Sequence, residues 1–92
     1  MNVSFTPEAL ADLRAIRDWI AIDNPVAATE VLSRIRQTAM MFGNFPLLGR
    51  PGRIGGTREF PVTGLPYTIV YRVASETEID ILTVIHQRRR FP

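Results

Sequence analysis

Tyr67-Thr68-Ile69-Val70-Tyr71-Arg72-Val73, then Ala74-Ser75-Glu76-Thr77, then Glu78-Ile79-Asp80-Ile81-Leu82-Thr83-Val84-Ile85-His86: two apolar runs with a small, polar break between them. The first run alternates, with Tyr67, Ile69, Tyr71 and Val73 on one face, as a strand of period two requires. The second is apolar on both faces in its middle, which suits a central strand covered on two sides. The break reads as a turn, so the pair predicts an antiparallel hairpin. Placing Val70 opposite Leu82 sets Arg72 opposite Asp80 on the same face. Such an exposed cross-strand pair contributes under about 1 kcal/mol.

Upstream, Arg58 to Val62 reads as a third, short strand, and Pro61 marks it as an edge or irregular one. Gly64-Leu65-Pro66 is the turn that follows it. Phe45 to Gly56 is rich in glycine and proline and predicts a loop. Within it, Gly49-Arg50-Pro51-Gly52-Arg53 lacks the Gly-Lys-Ser/Thr ending of a phosphate-binding loop and follows a helix instead of a strand.

Before the loop the period changes to that of helices. Thr6-Pro7 supplies an N-cap and a proline at the first helical position, and Asn24-Pro25 repeats the signal. Leu10, Leu13, Ile16 and Ile20 form the apolar stripe of the first helix, which runs to about Asp23; Asp12, Arg14 and Asp18 fall outside it. Ala28, Leu32, Ile35, Ala39 and Phe42 form the second stripe, with Gly43 expected as a left-handed C-cap. Glu30 and Arg34 lie four apart on the outer side of the second helix, in the favoured order for an ion pair. The short break predicts an antiparallel helical hairpin. Asn2 to Phe5 alternates as a short leading strand. The fold class expected is α+β: an N-terminal strand, a helical hairpin, then a mostly antiparallel three-strand sheet.

The 92 residues suffice for one domain spanning 1–92, with one core. The absence of cysteine excludes disulfides and thiolate metal sites, and one histidine with scattered carboxylates gives no metal set; no cofactor is expected. Residues 1–6 lack the basic start and apolar run of a signal peptide, and no stretch approaches the length of a membrane span, so a cytoplasmic location is expected. All eleven basic residues are arginine. A GC-rich coding sequence accounts for much of that bias, but not for placement: seven arginines lie from Arg50 onward, and Arg88, Arg89 and Arg90 are consecutive. The C-terminal half is thus a basic surface suited to an acidic partner or a nucleic acid.

The arginine triplet directly follows the last predicted strand. It is either a solvated tail or a grip for phosphate or carboxylate groups. His86 ends that strand and shares a face with Leu82 and Val84 by alternation. A lone histidine there is more often structural than a general base. Trp19, Phe42, Phe60 and Tyr71 are expected in the core or lining a groove.

Gly49-Arg50-Pro51-Gly52, Gly56-Thr57-Arg58-Glu59-Phe60, the Tyr67–Val73 run, and Ile79 to His86 with its basic and aromatic-proline ending resemble the ParE branch of the RelE/ParE toxin superfamily. Phe5-Thr6-Pro7-Glu8-Ala9 and Asp12-Leu13 extend the resemblance over nearly the whole chain. It implies a toxin held silent by a ParD-like antitoxin, with DNA gyrase as its target and operator DNA reached only through the antitoxin. Antitoxin contacts are then expected at Arg58, Tyr71, Arg72 and Trp19, and target contacts at Arg88, Arg89 and Arg90. The RelE relatives instead cleave mRNA on the ribosome, and the two branches share a fold. Many RelE-type nucleases carry a basic residue where this chain has Thr68, and lysines in the preceding loop, which are missing here. His86 and Arg89 are the candidates for catalysis if the chain cleaves RNA. A third reading is a toxin without activity that acts only in operon repression.

Overall fold

The predicted hairpin is the centre of the sheet. A computed structural model of the protein describes residues 1–89. In chain order the elements are β1 (Asn2–Phe5), α1 (Pro7–Ala21), α2 (Pro25–Met41), β2 (Arg50–Pro51), β3 (Arg58–Pro61), β4 (Tyr67–Val73) and β5 (Glu78–His86), then a 3-10 turn, Gln87–Arg89. The strands form one sheet in the order β1-β5-β4-β3-β2. β3, β4 and β5 are antiparallel, as expected. Two further strands complete the sheet. β1 lies parallel to β5, from Asn2 opposite Glu78 to Phe5 opposite Ile81. β2 forms inside the stretch expected as loop, pairing Arg50 with Glu59 and Pro51 with Arg58. A proline is tolerated there because β2 is an edge.

The hairpin register departs from strict alternation at one point. Arg72 faces Asp80, as expected, but Val70 faces Thr83 and Tyr71 faces Ile81. Leu82 is therefore the extra residue of a β-bulge. The bulge shifts the phase, so Ile79 and Ile81 before it and Val84 after it are all buried. The Arg72 guanidinium approaches the Asp80 carboxylate at 3.3 Å on the exposed face.

Both helix starts follow the sequence. Thr6 Oγ1 accepts from the Ala9 N–H at 3.1 Å, and Asn24 Oδ1 accepts from the Ala27 N–H at 3.0 Å. α1 buries Ala9 and Leu13, while Leu10 of the expected stripe stays at the surface. α2 buries Ala28, Ile35 and Ala39. Its end differs from expectation: Gly43 is not left-handed, and Phe42 closes the helix in right-handed conformation. Glycine at 43 answers a packing demand. A Cβ there would lie 2.7 Å from the Met1 carbonyl oxygen, and the N-terminal ammonium donates to the Gly43 carbonyl at 2.9 Å. Arg34, expected beside Glu30, donates to the Thr63 carbonyl and so ties α2 to the β3–β4 turn.

β5 continues from Leu82 to His86 after β1 has ended, and its outer edge there needs partners. α1 supplies them. The Thr6 N–H donates to the Ile81 carbonyl and Thr6 Oγ1 to the Leu82 carbonyl, each at 3.0 Å. The Asp12 carboxylate accepts from the Val84 N–H at 3.0 Å and from the Thr83 hydroxyl at 2.5 Å. Asp12, outside the apolar stripe, is thus a clamp between helix and sheet.

The aromatic part of the core belongs to the same cluster as Leu13 and Ile35. Tyr71 is fully buried and stacks on Phe42, with centroids 3.9 Å apart, while Phe60 meets Phe42 edge-on. The Tyr71 hydroxyl accepts from the Gly49 N–H at 2.7 Å and donates to the Pro46 carbonyl at 2.9 Å. Burial pushes this hydroxyl above the ordinary tyrosine value of 10.0, against the opposing pull of the Gly49 N–H and the Arg58 charge.

Both anchors can be tested by substitution. Asp12→Ala orphans the Val84 N–H and the Thr83 hydroxyl, and should cost about 1–3 kcal/mol in chemical denaturation; Asp12→Asn, which keeps one acceptor oxygen, should cost less. Tyr71→Phe orphans the Gly49 N–H and should cost a similar amount, about 1–3 kcal/mol. It should also change the alkaline limb. Because the folded chain holds the Tyr71 proton more tightly than the unfolded chain, wild-type stability is full below the unfolded value and falls as pH rises through the folded one. Urea midpoints measured from about pH 9 to about pH 11 should fall less steeply for Tyr71→Phe than for wild type.

Candidate functional site

The C-terminal end of β5 sets the histidine beside Arg88. The Gln87 N–H donates to the Pro66 carbonyl at 2.8 Å and fixes the turn after the strand. The Arg88 N–H then donates to His86 Nδ1 at 3.1 Å. The His86 ring stands edge-on to Tyr67, centroids 5.4 Å apart. A neutral ring whose Nδ1 accepts carries its proton on Nε2, so His86 is held as a donor toward its surroundings. The Arg88 side chain is exposed, the Arg89 backbone completes the turn, and Arg90 lies outside the described residues. Thr68, at the position where RelE-type nucleases carry a basic residue, is buried in the central strand.

Between α1 and this strand end is a cleft of about 220 Å³, with Asp12, Ile16, Trp19, Tyr67, Val84 and His86 among its walls. Trp19 is 65% exposed, a cleft wall rather than a core residue. A second, larger cleft of about 550 Å³ runs along the outer side of the helical hairpin. Leu10, Leu32 and Met40 make it apolar, and Arg14, Arg17 and Arg36 stand around it. Arg17 pairs with neighbouring Asp18 at 3.0 Å, and Arg36 lies over the Phe5 ring at 5.7 Å. The resemblance implies an antitoxin groove beside the sheet and the helical hairpin, with arginines to meet carboxylates, but the sequence reading did not name this cleft's residues: it put Leu10 and Leu32 in the core-facing stripes and left Arg14 outside them. The signal was present: apolar and arginine positions share one face of each helix at three- and four-residue spacings.

The four residues expected at an antitoxin interface do not form one patch. Tyr71 is buried, and both functions of its hydroxyl are taken by the Pro46–Gly49 segment; it holds a loop and offers no surface. Arg58 is half-buried and donates to the Gly49 carbonyl at 2.6 Å. Arg72 is exposed but paired with Asp80. Trp19 lies near the Tyr67 end of β4 and Arg72 near the opposite end, about 17 Å away along the strand. Among the described residues no group of three or more acidic or histidine side chains could hold a metal, and no helix is long and apolar enough to cross a membrane.

Comparison with known proteins agrees with this architecture. The family model described as the ParE toxin of the type II toxin–antitoxin system, parDE, matches residues 3–91. Y4kP of Sinorhizobium fredii, which carries a toxin designation, is 39% identical over 91 residues, covering 99% of this chain and 93% of that protein. Toxin RelE2 of Caulobacter vibrioides is 37% identical over 88 residues, covering 96% of this chain and 97% of its own. A solved chain from the chromosomal ParDE system of P. aeruginosa superposes with a TM-score of 0.82 at 27% identity, over 94% of this chain and 95% of that one. With nearly its whole length matched at the level of family, sequence and fold, the chain belongs to the ParE toxin family and is the toxin of a ParDE-type toxin–antitoxin system.

Proposed function

We propose that this toxin acts in the cytoplasm by inhibiting DNA gyrase, and that a ParD-like antitoxin silences it. The observation that carries the choice of a binding inhibitor over a nuclease is the state of His86. RNA cleavage needs an acceptor for the 2′-hydroxyl proton beside a cation that stabilises the phosphate. The one histidine commits its Nδ1 lone pair to the Arg88 N–H, and in neutral form its Nε2 is protonated. Thr68 supplies no cation. A binding inhibitor needs no such constellation; it needs a charged, anchored surface, and exposed Arg88 at the end of β5 offers one.

The hairpin cleft supports a seat for the antitoxin segment. Leu10, Leu32 and Met40 offer an apolar bed for one side of an amphipathic helix, and Arg14, Arg17 and Arg36 meet carboxylates at its margins. Trp19, exposed in the adjoining cleft, adds an aromatic anchor at the other side of α1. Operator DNA is contacted by the antitoxin, not by this chain.

The alternative, ribosome-dependent mRNA cleavage, is favoured by one observation: a relative of 37% identity is named a RelE toxin. Purified toxin should inhibit gyrase supercoiling and leave ribosome-bound mRNA intact. Codon-linked cleavage with normal supercoiling would reverse the assignment, and His86→Ala should then abolish the cleavage.

Replacing Arg88, Arg89 and Arg90 together by glutamine should weaken target inhibition and flatten its salt dependence. Melting temperature should hardly change, since exposed charges contribute under about 1 kcal/mol. A triple variant that folds normally and arrests growth as wild type does would show that the triplet makes no target contact.

A further inference from the structure

Residues 45–57 join α2 to β3 and present four large apolar side chains to solvent: Phe45, Leu47, Leu48 and Ile54, with Ile54 73% exposed. Loops do not ordinarily carry such a set; contiguous exposed apolar surface marks interaction sites. The backbone beneath is fixed at several points. The buried Tyr71 hydroxyl takes the Gly49 N–H and binds the Pro46 carbonyl. Arg58 holds the Gly49 carbonyl, and the nearly buried Glu59 carboxylate accepts from the Arg53 N–H at 3.3 Å. Thr57 closes the tip, donating from Oγ1 to the Ile54 carbonyl at 2.6 Å, and its carbonyl accepts from the Gly52 N–H at 2.8 Å. Side chains that destabilise the free protein by exposure are thus held in place by buried polar groups. A rigid loop loses little conformational entropy on binding.

We propose that this loop is a docking finger for the toxin's target protein, distinct from the antitoxin cleft, and that it fits an apolar recess edged by carboxylates. The charge pattern selects the partner. Arg50 and Arg53 are exposed among the apolar side chains, Arg50 reaching back to within 3.9 Å of the Glu59 carboxylate, and Arg58 lines a cleft of about 340 Å³ beside Leu47 and Val73. The acid of this region, Glu59, is turned inward. The surface offered is apolar and positive, which calls for an apolar and acidic counterpart. Three of the four exposed side chains are aliphatic and give bases nothing to stack on, so a protein fits better than a nucleic acid. The loop lies at the β2 edge of the sheet, with β3, β4 and β5 between it and β1.

The location of the finger rests on the toxin assignment, and its partner on the gyrase reading. The test is Leu47→Asp with Ile54→Asp, together and singly, in the full chain. Growth arrest, supercoiling inhibition, antitoxin affinity, melting temperature and solution mass are measured side by side. The double variant should fold as wild type, bind antitoxin within about twofold, and lose about tenfold or more of its growth arrest. Undiminished arrest by a folded double variant would overturn the proposal. So would loss of antitoxin binding with toxicity retained, which assigns the loop to the antitoxin interface. A wild-type dimer that the substitutions split into equally toxic monomers would assign it to self-association and overturn it too. Each single variant is read the same way, so misfolding of the double one does not decide the matter. A failure of the gyrase reading shows elsewhere, as wild-type growth arrest without inhibited supercoiling.

Discussion

A central strand needs hydrogen-bonding partners on both edges, and β5 outruns the strand beside it. β1 stops at Phe5 opposite Ile81, while β5 continues to His86. Everything distinctive in the arrangement follows from how that remaining edge is satisfied. Thr6 and Asp12, one at the cap and one a turn and a half into α1, take the Leu82 carbonyl and the Val84 N–H. The helix is therefore fixed to the sheet by polar groups as well as by Ala9 and Leu13. Its orientation determines where α2 can pack, where the hairpin cleft opens, and how far Trp19 stands from His86. The bulge at Leu82 belongs to the same solution: it lets β5 follow β4 while Val84 turns its side chain inward and its N–H toward Asp12.

The second anchor, Tyr71, works on the opposite half of the molecule by similar means. A buried hydroxyl that both donates and accepts is fully satisfied, so its burial carries no unpaired polar cost. In return it positions a long connection that has little regular structure. Gly49 is required there because a Cβ would lie 2.8 Å from the tyrosine ring. The loop gains order from the core rather than from its own sequence.

Most of the chain's path was legible in local chemistry. Thr6-Pro7 and Asn24-Pro25 start helices because a capping oxygen and a proline at the first helical position act within a few residues. The β4–β5 hairpin and the Arg72–Asp80 pairing were legible from alternation and turn length. What stayed hidden depends on distant partners. Gly43 is set by the Met1 carbonyl, β2 by its pairing with β3, and the Leu82 bulge by the edge beyond β1. The candidate sites divide in the same way. The basic end of β5 is contiguous in sequence and could be read. The arginine-rimmed cleft joins two helices, and its signal is split between their two stripes. Tyr71 was expected in the core or lining a groove, and it is in the core; alternation gives its face but not its depth.

Division of surface is the consequence that bears on function. A small toxin that must be silenced and must also engage a target has to recognise two partners with one small core behind both surfaces. Rigid elements suit recognition of the antitoxin. The hairpin cleft is formed by two capped helices packed on the sheet, so an antitoxin helix bound there as proposed would meet a preformed bed. Anchored irregular segments suit recognition of the target, because loop residues carry side chains that no core position would tolerate and can differ between toxins without disturbing the fold. In this chain the segments proposed for that role are the loop fastened by Tyr71 and the turn fastened by the Pro66 carbonyl. An antitoxin bound along the hairpin would then silence the toxin by covering or crowding these segments at their edges, with no need to unfold or distort the sheet that holds them.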